Sequence, residues 1–237
     1  MGKMKILVGI VFTLFLVRLG YGQHTSVSSK QLTQQEIDSI FTGSLKRSLQ
    51  IEYEIYRIYE YNDKIGKHFI VMTENNFYCE GGEPCYNALK AYCFLYEQEQ
   101  YNLEWSLKDF ILPEGNQVSA EYSINFWTKY FELDDYDGDG KVDPIIVYGT
   151  LGGNNFDDGR IKILAYHHNK KRAIRHQNGV SDFERNTQVD KEYYELPVEI
   201  QHQVQNIMEN IPKNDHGIFP YGWQNAMANK KLEFDEH

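Results

Sequence analysis

Ile51-Glu52-Tyr53-Glu54-Ile55-Tyr56-Arg57-Ile58-Tyr59-Glu60-Tyr61 is followed by Asn62-Asp63-Lys64-Ile65-Gly66 and then by His68-Phe69-Ile70-Val71-Met72-Thr73. The first stretch is rich in isoleucine and tyrosine, residues that suit a pleated surface, and the middle five are turn formers. Together they read as two strands joined in a hairpin, which sets the chain among β proteins. Working outward, Ala88 to Tyr96 and Leu103 to Ile111 read as a second hairpin. Gln117 to Ile124 and Phe126 to Leu133 read as strands leading into an acidic loop, and Pro144 to Thr150 as the strand that leaves it. Arg160 to His167 and Arg172 to Gln177 read as a hairpin across Asn169-Lys170-Lys171.

The chain ends read as helical. Thr33-Gln34-Gln35-Glu36 is a capping box opening a short helix to about Thr42. Val198, Ile200, Val204, Ile207, Met208 and Ile211 repeat at helical spacing, with Pro197 in the first turn and Pro212 as the stop. A last short helix is expected over Tyr221 to Lys230. No linker or internal repeat divides the chain. The expected architecture is a mainly β (α+β) fold: one antiparallel sheet of about eight to ten strands with short helices at the N- and C-terminal ends.

Residues 1–22 read as a cleavable secretory signal. Lys3 and Lys5 precede the apolar run Ile6 to Val17, and Gly20 and Gly22 stand at the −3 and −1 positions of a cut before Gln23. Twelve apolar residues are too few to cross a bilayer, which needs about twenty. The expected product is one exported domain, residues 23–237, in the periplasm, at the cell surface or secreted, with no integral membrane segment after cleavage. Losing Lys3, Lys5 and Arg18 moves the formal charge from −10 to −13. So acidic a surface repels nucleic acid and anionic lipid, and attracts cations. Export permits disulfides. Cys79 and Cys85 flank a turn-rich loop and are candidates for a bridge worth roughly 2 kcal/mol, with two free thiols as the alternative. Cys93 reads as a buried free thiol on a strand face.

The most informative segment is Asp135-Tyr136-Asp137-Gly138-Asp139-Gly140-Lys141-Val142-Asp143. Calcium wants six to eight oxygens, and carboxylates at alternate positions turn inward when a chain coils round an ion. Asp135, Asp137 and Asp139 hold positions 1, 3 and 5, and Gly140 allows the sharp turn. The Lys141 carbonyl can add an oxygen, and Asp143 closes the set at position 9. An EF-hand would need a glutamate at position 12, which is Ile146, and helices on both sides. The expected cofactor is therefore a structural Ca2+ held by Asp135, Asp137, Asp139, Lys141 and Asp143, against the alternative of a solvated acidic turn. Asp134 reads as outside the shell. The loop resembles the calcium loops of FG-GAP repeats in integrin-type β-propellers. Only one copy is present, so the resemblance implies the loop and not the propeller.

Other polar clusters carry weaker signals. His167 and His168 are read as strand neighbours pointing to opposite faces, which would prevent them from chelating one ion. The run Arg175 to Gly179, with Asp182, Glu184, Arg185 and Asp190, could do acid–base chemistry or form a salt-bridged hairpin edge. No nucleophile-elbow, zincin, P-loop or dinucleotide motif is present.

Several further stretches share a pattern: Trp105-Ser106-Leu107-Lys108-Asp109-Phe110, Phe126-Trp127-Thr128-Lys129-Tyr130, and the acidic loop running into Asp143-Pro144-Ile145-Ile146-Val147-Tyr148-Gly149-Thr150. Asp158 to Ile163, Ala173 to Gly179 and Gly222-Trp223-Gln224 continue it. Together, over about residues 50–230, they resemble an exported family of Gram-negative bacteria named for surface polysaccharide biosynthesis. The resemblance implies a non-enzymatic factor in making or displaying lipopolysaccharide-type glycan, with surface glycan or its assembly machinery as partner. It assigns no catalytic residue. The alternatives are a glycan hydrolase using paired carboxylates such as Asp157, Asp158, Asp182 or Glu184, and a calcium-dependent carbohydrate-binding or adhesion module.

Overall fold

The computed structural model describes residues 27–78, 84–111 and 120–236. The expected signal segment, Cys79 and the first three residues of the expected strand Gln117–Ile124 lie outside them. The fold is mainly β and antiparallel throughout, as expected, but its eleven described strands form two sheets and not one. The first sheet is a meander of β1 (Ser29–Gln31), β2 (Glu54–Asn62), β3 (Lys67–Tyr78), β4 (Pro84–Glu97) and β5 (Gln100–Phe110). The second is a meander of β6 (Ser123–Phe126), β7 (Ile145–Leu151), β8 (Arg160–His167), β9 (Lys170–Gln177), β10 (Asn186–Val189) and β11 (Glu233–Asp235). Four helices accompany them: α1 (Gln34–Ile40), α2 (Gly43–Ser48), α3 (Val198–Lys213) and α4 (Trp223–Ala228).

Two sheets arise because the central strands are apolar on both faces. Along β3, Ile70 and Met72 face the second sheet, while Phe69 and Val71 face the N-terminal helices. Along β7, Ile146 and Tyr148 face the first sheet, while Ile145 and Val147 face α3 and α4. A strand buried on both sides reads as a continuous apolar run, as Ile145-Ile146-Val147-Tyr148 does. The layers are therefore helix, sheet, sheet, helix. Between the sheets, Trp105 of β5 stacks on Tyr166 of β8 with ring centroids 3.9 Å apart. Truncating fully buried Ile146 in this layer to alanine would cost roughly 2–5 kcal/mol.

The Thr33 capping box is present: Glu36 Oε2 accepts from the Thr33 amide at 2.8 Å and Thr33 Oγ1 accepts from the Glu36 amide at 3.3 Å. The helix it opens stops at Ile40, and Thr42 caps a second one, α2. In α3, Ile200, Val204, Ile207, Met208 and Ile211 are buried on one face, as their spacing predicts. Pro197 is the N-cap, and Pro212 lies within the last turn instead of ending the helix at Ile211. The expected strand Phe126–Leu133 does not form. After Phe126 the chain makes a 3-10 turn, Thr128–Tyr130, which swings both Trp127 and Tyr130 into the core beneath α3. A strand would have sent these two to opposite faces.

The β8–β9 connection also differs from expectation. It is a two-residue turn at His168-Asn169, with His167 paired to Lys170. Both turn residues have positive φ, 48° and 60°, the twist that suits a tight hairpin. Cys85 is disulfide-bonded and Cys93 is a buried free thiol. Cys79, the partner expected for Cys85, lies outside the described residues.

One polar contact fastens the sheets from within. Glu74 of β3 is 4 % exposed on the inner face, and its Oε1 accepts the Phe126 amide of β6 at 3.1 Å. Burial raises its carboxyl to about 7, against a smaller opposing effect of the Phe126 hydrogen bond and the Arg57 charge. The folded state thus holds a proton that the unfolded chain releases near 4.5. The stability this carboxyl contributes is complete below that value and is lost as pH rises through 7. Glu74→Gln keeps the acceptor and removes the charge. Urea unfolding should find the variant more stable than the parent at pH 8, by up to about 3 kcal/mol, and equal to it at pH 4. An equal difference at both pH values would refute the buried-proton account.

Candidate metal centre

Residues 134–143 form a closed loop. The pair Glu132 and Ile145 exchange both backbone hydrogen bonds, at 3.1 and 3.0 Å, and the Asp143 amide reaches the Asp134 carbonyl at 2.7 Å. Inside that neck each aspartate spends one oxygen on a loop amide. Asp135 Oδ2 accepts from Gly140 at 2.8 Å, Asp137 Oδ1 from Asp139 at 3.0 Å, Asp139 Oδ1 from Lys141 at 2.8 Å and Asp143 Oδ2 from Tyr136 at 3.2 Å. Gly138 and Gly140 carry left-handed φ values of 72° and 84°, which the coil requires.

The remaining oxygens define the centre. Asp135, Asp137 and Asp143 each present one carboxylate oxygen within 4.8 Å of the others, a cluster that could hold a metal ion. Asp135 and Asp143 are 7 % and 1 % exposed. Asp135 Oδ1 is buried and has no hydrogen-bond partner. A buried, unpaired carboxylate oxygen is costly, and a cation is the partner that would relieve it. Burial, with the Asp137 charge adding to it and His167 opposing, raises the Asp143 carboxyl to about 6.

Three of the residues expected to bind the ion are thus brought together, and Asp139 turns one oxygen elsewhere. Asp139 directs its outer oxygen to His168 Nε2, at 2.8 Å, and toward Lys64 Nζ at 3.8 Å. Burial would raise its carboxyl, but the bonds from His168 and the Lys141 amide, with the Lys64 charge, hold it below the ordinary value. Lys141 donates its amide to Asp139.

Turns from both sheets close over the loop. In the β2–β3 turn, the Lys64 amide donates to the Gly140 carbonyl at 2.9 Å, Lys64 Nζ donates to the Asp139 carbonyl, and Asp63 Oδ2 accepts the Val142 amide at 3.3 Å. A Cβ on Gly140 would stand 2.9 Å from the Lys64 side chain, so this contact also calls for glycine. From the β8–β9 turn, His167 Nδ1 lies 2.9 Å from Asp143 Oδ1. The centre therefore sits where one end of each sheet meets the other.

The histidine pair overturns the expectation from sequence. His168 has left the strand for the turn, so strand alternation does not separate it from His167. The two rings stack at 3.8 Å, and with Asp137 they form a second group whose ligand atoms lie within 4.8 Å of one another. The signal was available: two residues ending in asparagine between two β runs mark a tight hairpin.

Beside the loop is a cleft of about 150 Å³ whose lining includes Tyr61, Asp63, His68, Glu104, Lys141 and His168. His68 is 2 % exposed, stacks on Tyr61, and places Nε2 3.2 Å from Glu104 Oε2. Burial works against its charged form, yet Glu104 and Asp63 outweigh burial and raise its pKa. Cys93 lies 3.7 Å from the same Glu104 oxygen, but burial pushes its thiol far up, away from thiolate chemistry. Sequence reading missed the His68–Glu104 pair because its members stand on β3 and β5, far apart in the chain.

Three of the four carboxylates considered for hydrolysis are held by neighbouring groups. Asp182 is exposed and paired with Arg185 at 2.9 Å, and Glu184 accepts the Ser181 amide at 2.9 Å. Asp158 is buried and accepts from the Asn154 amide at 3.0 Å, and Asp157 is exposed. Arg175 of β9 pairs with Asp190, the residue just after β10, at 2.6 Å. Among the described residues no helix is long and apolar enough to cross a membrane. No protein-family model, curated protein or solved structure matches the chain.

A cation in the cup requires Asp143 ionised, so a proton competes with it. Affinity for a divalent ion should be level above pH 7 and fall about tenfold per pH unit well below 6. Calorimetric titration from pH 5 to 7.5 measures this, and an affinity flat over that span would remove Asp143 from the ligand set.

Proposed function

We propose that this is an exported calcium-binding factor that serves the assembly or display of surface polysaccharide, with the ion as a structural clasp between its two sheets. The observation that carries the metal reading is the unpaired, buried Oδ1 of Asp135 inside a three-carboxylate cup. The donors are all oxygen in this cup, which favours a hard cation, and calcium's variable shell asks less of donor geometry than magnesium, which demands a tighter octahedral shell. Asp139 and the Lys141 carbonyl, on the same loop, are the oxygens the motif offers for completing the shell. The clasp reading follows from Asp63 and Lys64, which tie the loop to the opposite sheet. Export and the polysaccharide process rest on the N-terminal leader and on the family resemblance in the sequence.

Calcium should raise the melting temperature of metal-stripped protein and EDTA should reverse the effect, with about 2.7 kcal/mol gained at a hundredfold excess over Kd. Asp135→Ala should abolish the response. A melting curve indifferent to both reagents would end the calcium reading. Deleting the gene should change the surface glycan profile, and restoring it with the Asp135→Ala form should recover the phenotype only as far as folded protein accumulates. An unaltered profile would sink the polysaccharide role, and glycan cleavage by the purified protein would move the reading to the hydrolase.

A further inference from the structure

We infer that Asp137, His167 and His168 form a second metal site, adjacent to the carboxylate cup, for a borderline transition ion of the zinc class. The donor set is the first reason. Two imidazoles and one carboxylate suit Zn2+, Cu2+ or Ni2+ and are a poor match for calcium, which takes oxygen. One ligand atom from each residue already lies within 4.8 Å of the other two. Ligands of a tetrahedral zinc stand about 3.4 Å apart at the usual bond lengths, a closure that side-chain rotation can supply.

The second reason is how the histidines are held. The tight turn at His168-Asn169 brings two sequence neighbours into a face-to-face stack, which strand geometry would forbid. Each ring keeps one nitrogen against a loop carboxylate, His167 on Asp143 at 2.9 Å and His168 on Asp139 at 2.8 Å. His167 Nδ1 also stands 3.8 Å from Asp137 Oδ2, and a carboxylate partner fixes the tautomer and raises the basicity of an imidazole that ligates through its other nitrogen.

Access and charge agree. The side chains of Asp137, His167 and His168 are 16, 18 and 48 % exposed, unlike the buried Asp135 and Asp143. His168 also borders the cleft beside the loop, which leaves room for water as a further ligand. The four aspartates of the loop carry a formal charge of −4. A divalent ion in the cup halves it and Lys64 offsets one charge more, so a second cation still meets a negative field. Asp137 belongs to both groups, and the two ions would be neighbours across it. The second site does not depend on which hard cation fills the cup.

The test uses the purified full chain, stripped of metal, and titrates Zn2+ in saturating Ca2+ with metal content read after dialysis. His168→Asn is the variant, because asparagine tolerates the left-handed turn that His168 occupies. The parent should take up one Zn2+ per chain and keep its Ca2+. The variant should lose more than about tenfold in zinc affinity while still binding calcium. Cobalt(II) should give visible absorption bands in the parent that the variant lacks. Zinc uptake equal in parent and variant, zinc displacing calcium one for one, or no zinc uptake by the parent would each overturn the inference. If the chain binds zinc in a His168-dependent way and ignores calcium, the second site stands and the calcium reading falls.

Discussion

Four carboxylates confined to nine residues repel one another, and the geometry at this end of the molecule is a response to that repulsion. Loop amides neutralise one oxygen of each, which fixes the coil and demands left-handed glycines at positions 138 and 140. The oxygens left over then need positive charge or a proton. Lys64 comes from one sheet and the histidine turn from the other, and burial keeps the Asp143 carboxyl protonated to unusually high pH. The two sheets meet here because each contributes a turn to the same electrostatic problem. The apolar layer between them is broad and non-directional, and it does not by itself set their register. Directional polar contacts join it at the loop, between Glu74 and Phe126, and between Asp109 and Lys162.

Local chemistry was legible where it was decided locally. The Thr33 capping box, the amphipathic stripe of α3, the β2–β3 hairpin and the inward aspartates at positions 135, 137 and 143 all follow from spacing and residue type. The division into two sheets was not legible as such, although its cause was written in the runs Phe69-Ile70-Val71-Met72 and Ile145-Ile146-Val147-Tyr148. Such runs say that both faces of a strand are covered, but not whether a helix or another sheet covers them. The length of β3 and β4 beyond Thr73 and before Ala88 was hidden by polar residues, Glu74, Asn75 and Asn76, that a buried or edge environment satisfies in three dimensions.

Two errors have a common origin. Reading Phe126–Leu133 as a strand and His167-His168 as strand neighbours both extended a regular alternation one step too far. Trp127 and Tyr130 need the same core, so the chain turns to deliver them together. His168 sits at the first position of a two-residue turn, where alternation stops. The Asp139 side chain shows a different limit. Its place in the motif predicts an inward ligand, and its neighbours in space, Lys64 and His168, come from elements that the motif does not contain.

Among the polar contacts between the sheets, two lie along β3: the loop against Asp63 and Lys64 before the strand begins, and Glu74 against Phe126 further along it. From Lys67 to Glu74 is roughly 24 Å at the usual rise per residue. With a cation in the cup, the two fastenings would have opposite proton preferences. Glu74 fits its pocket best when neutral, whereas a cation in the cup needs Asp143 charged. With the cup filled, acidification loosens one end of the sandwich as it tightens the other, and alkali does the reverse. Changes in acidity would then shift the balance of rigidity from one end of the sandwich toward the other.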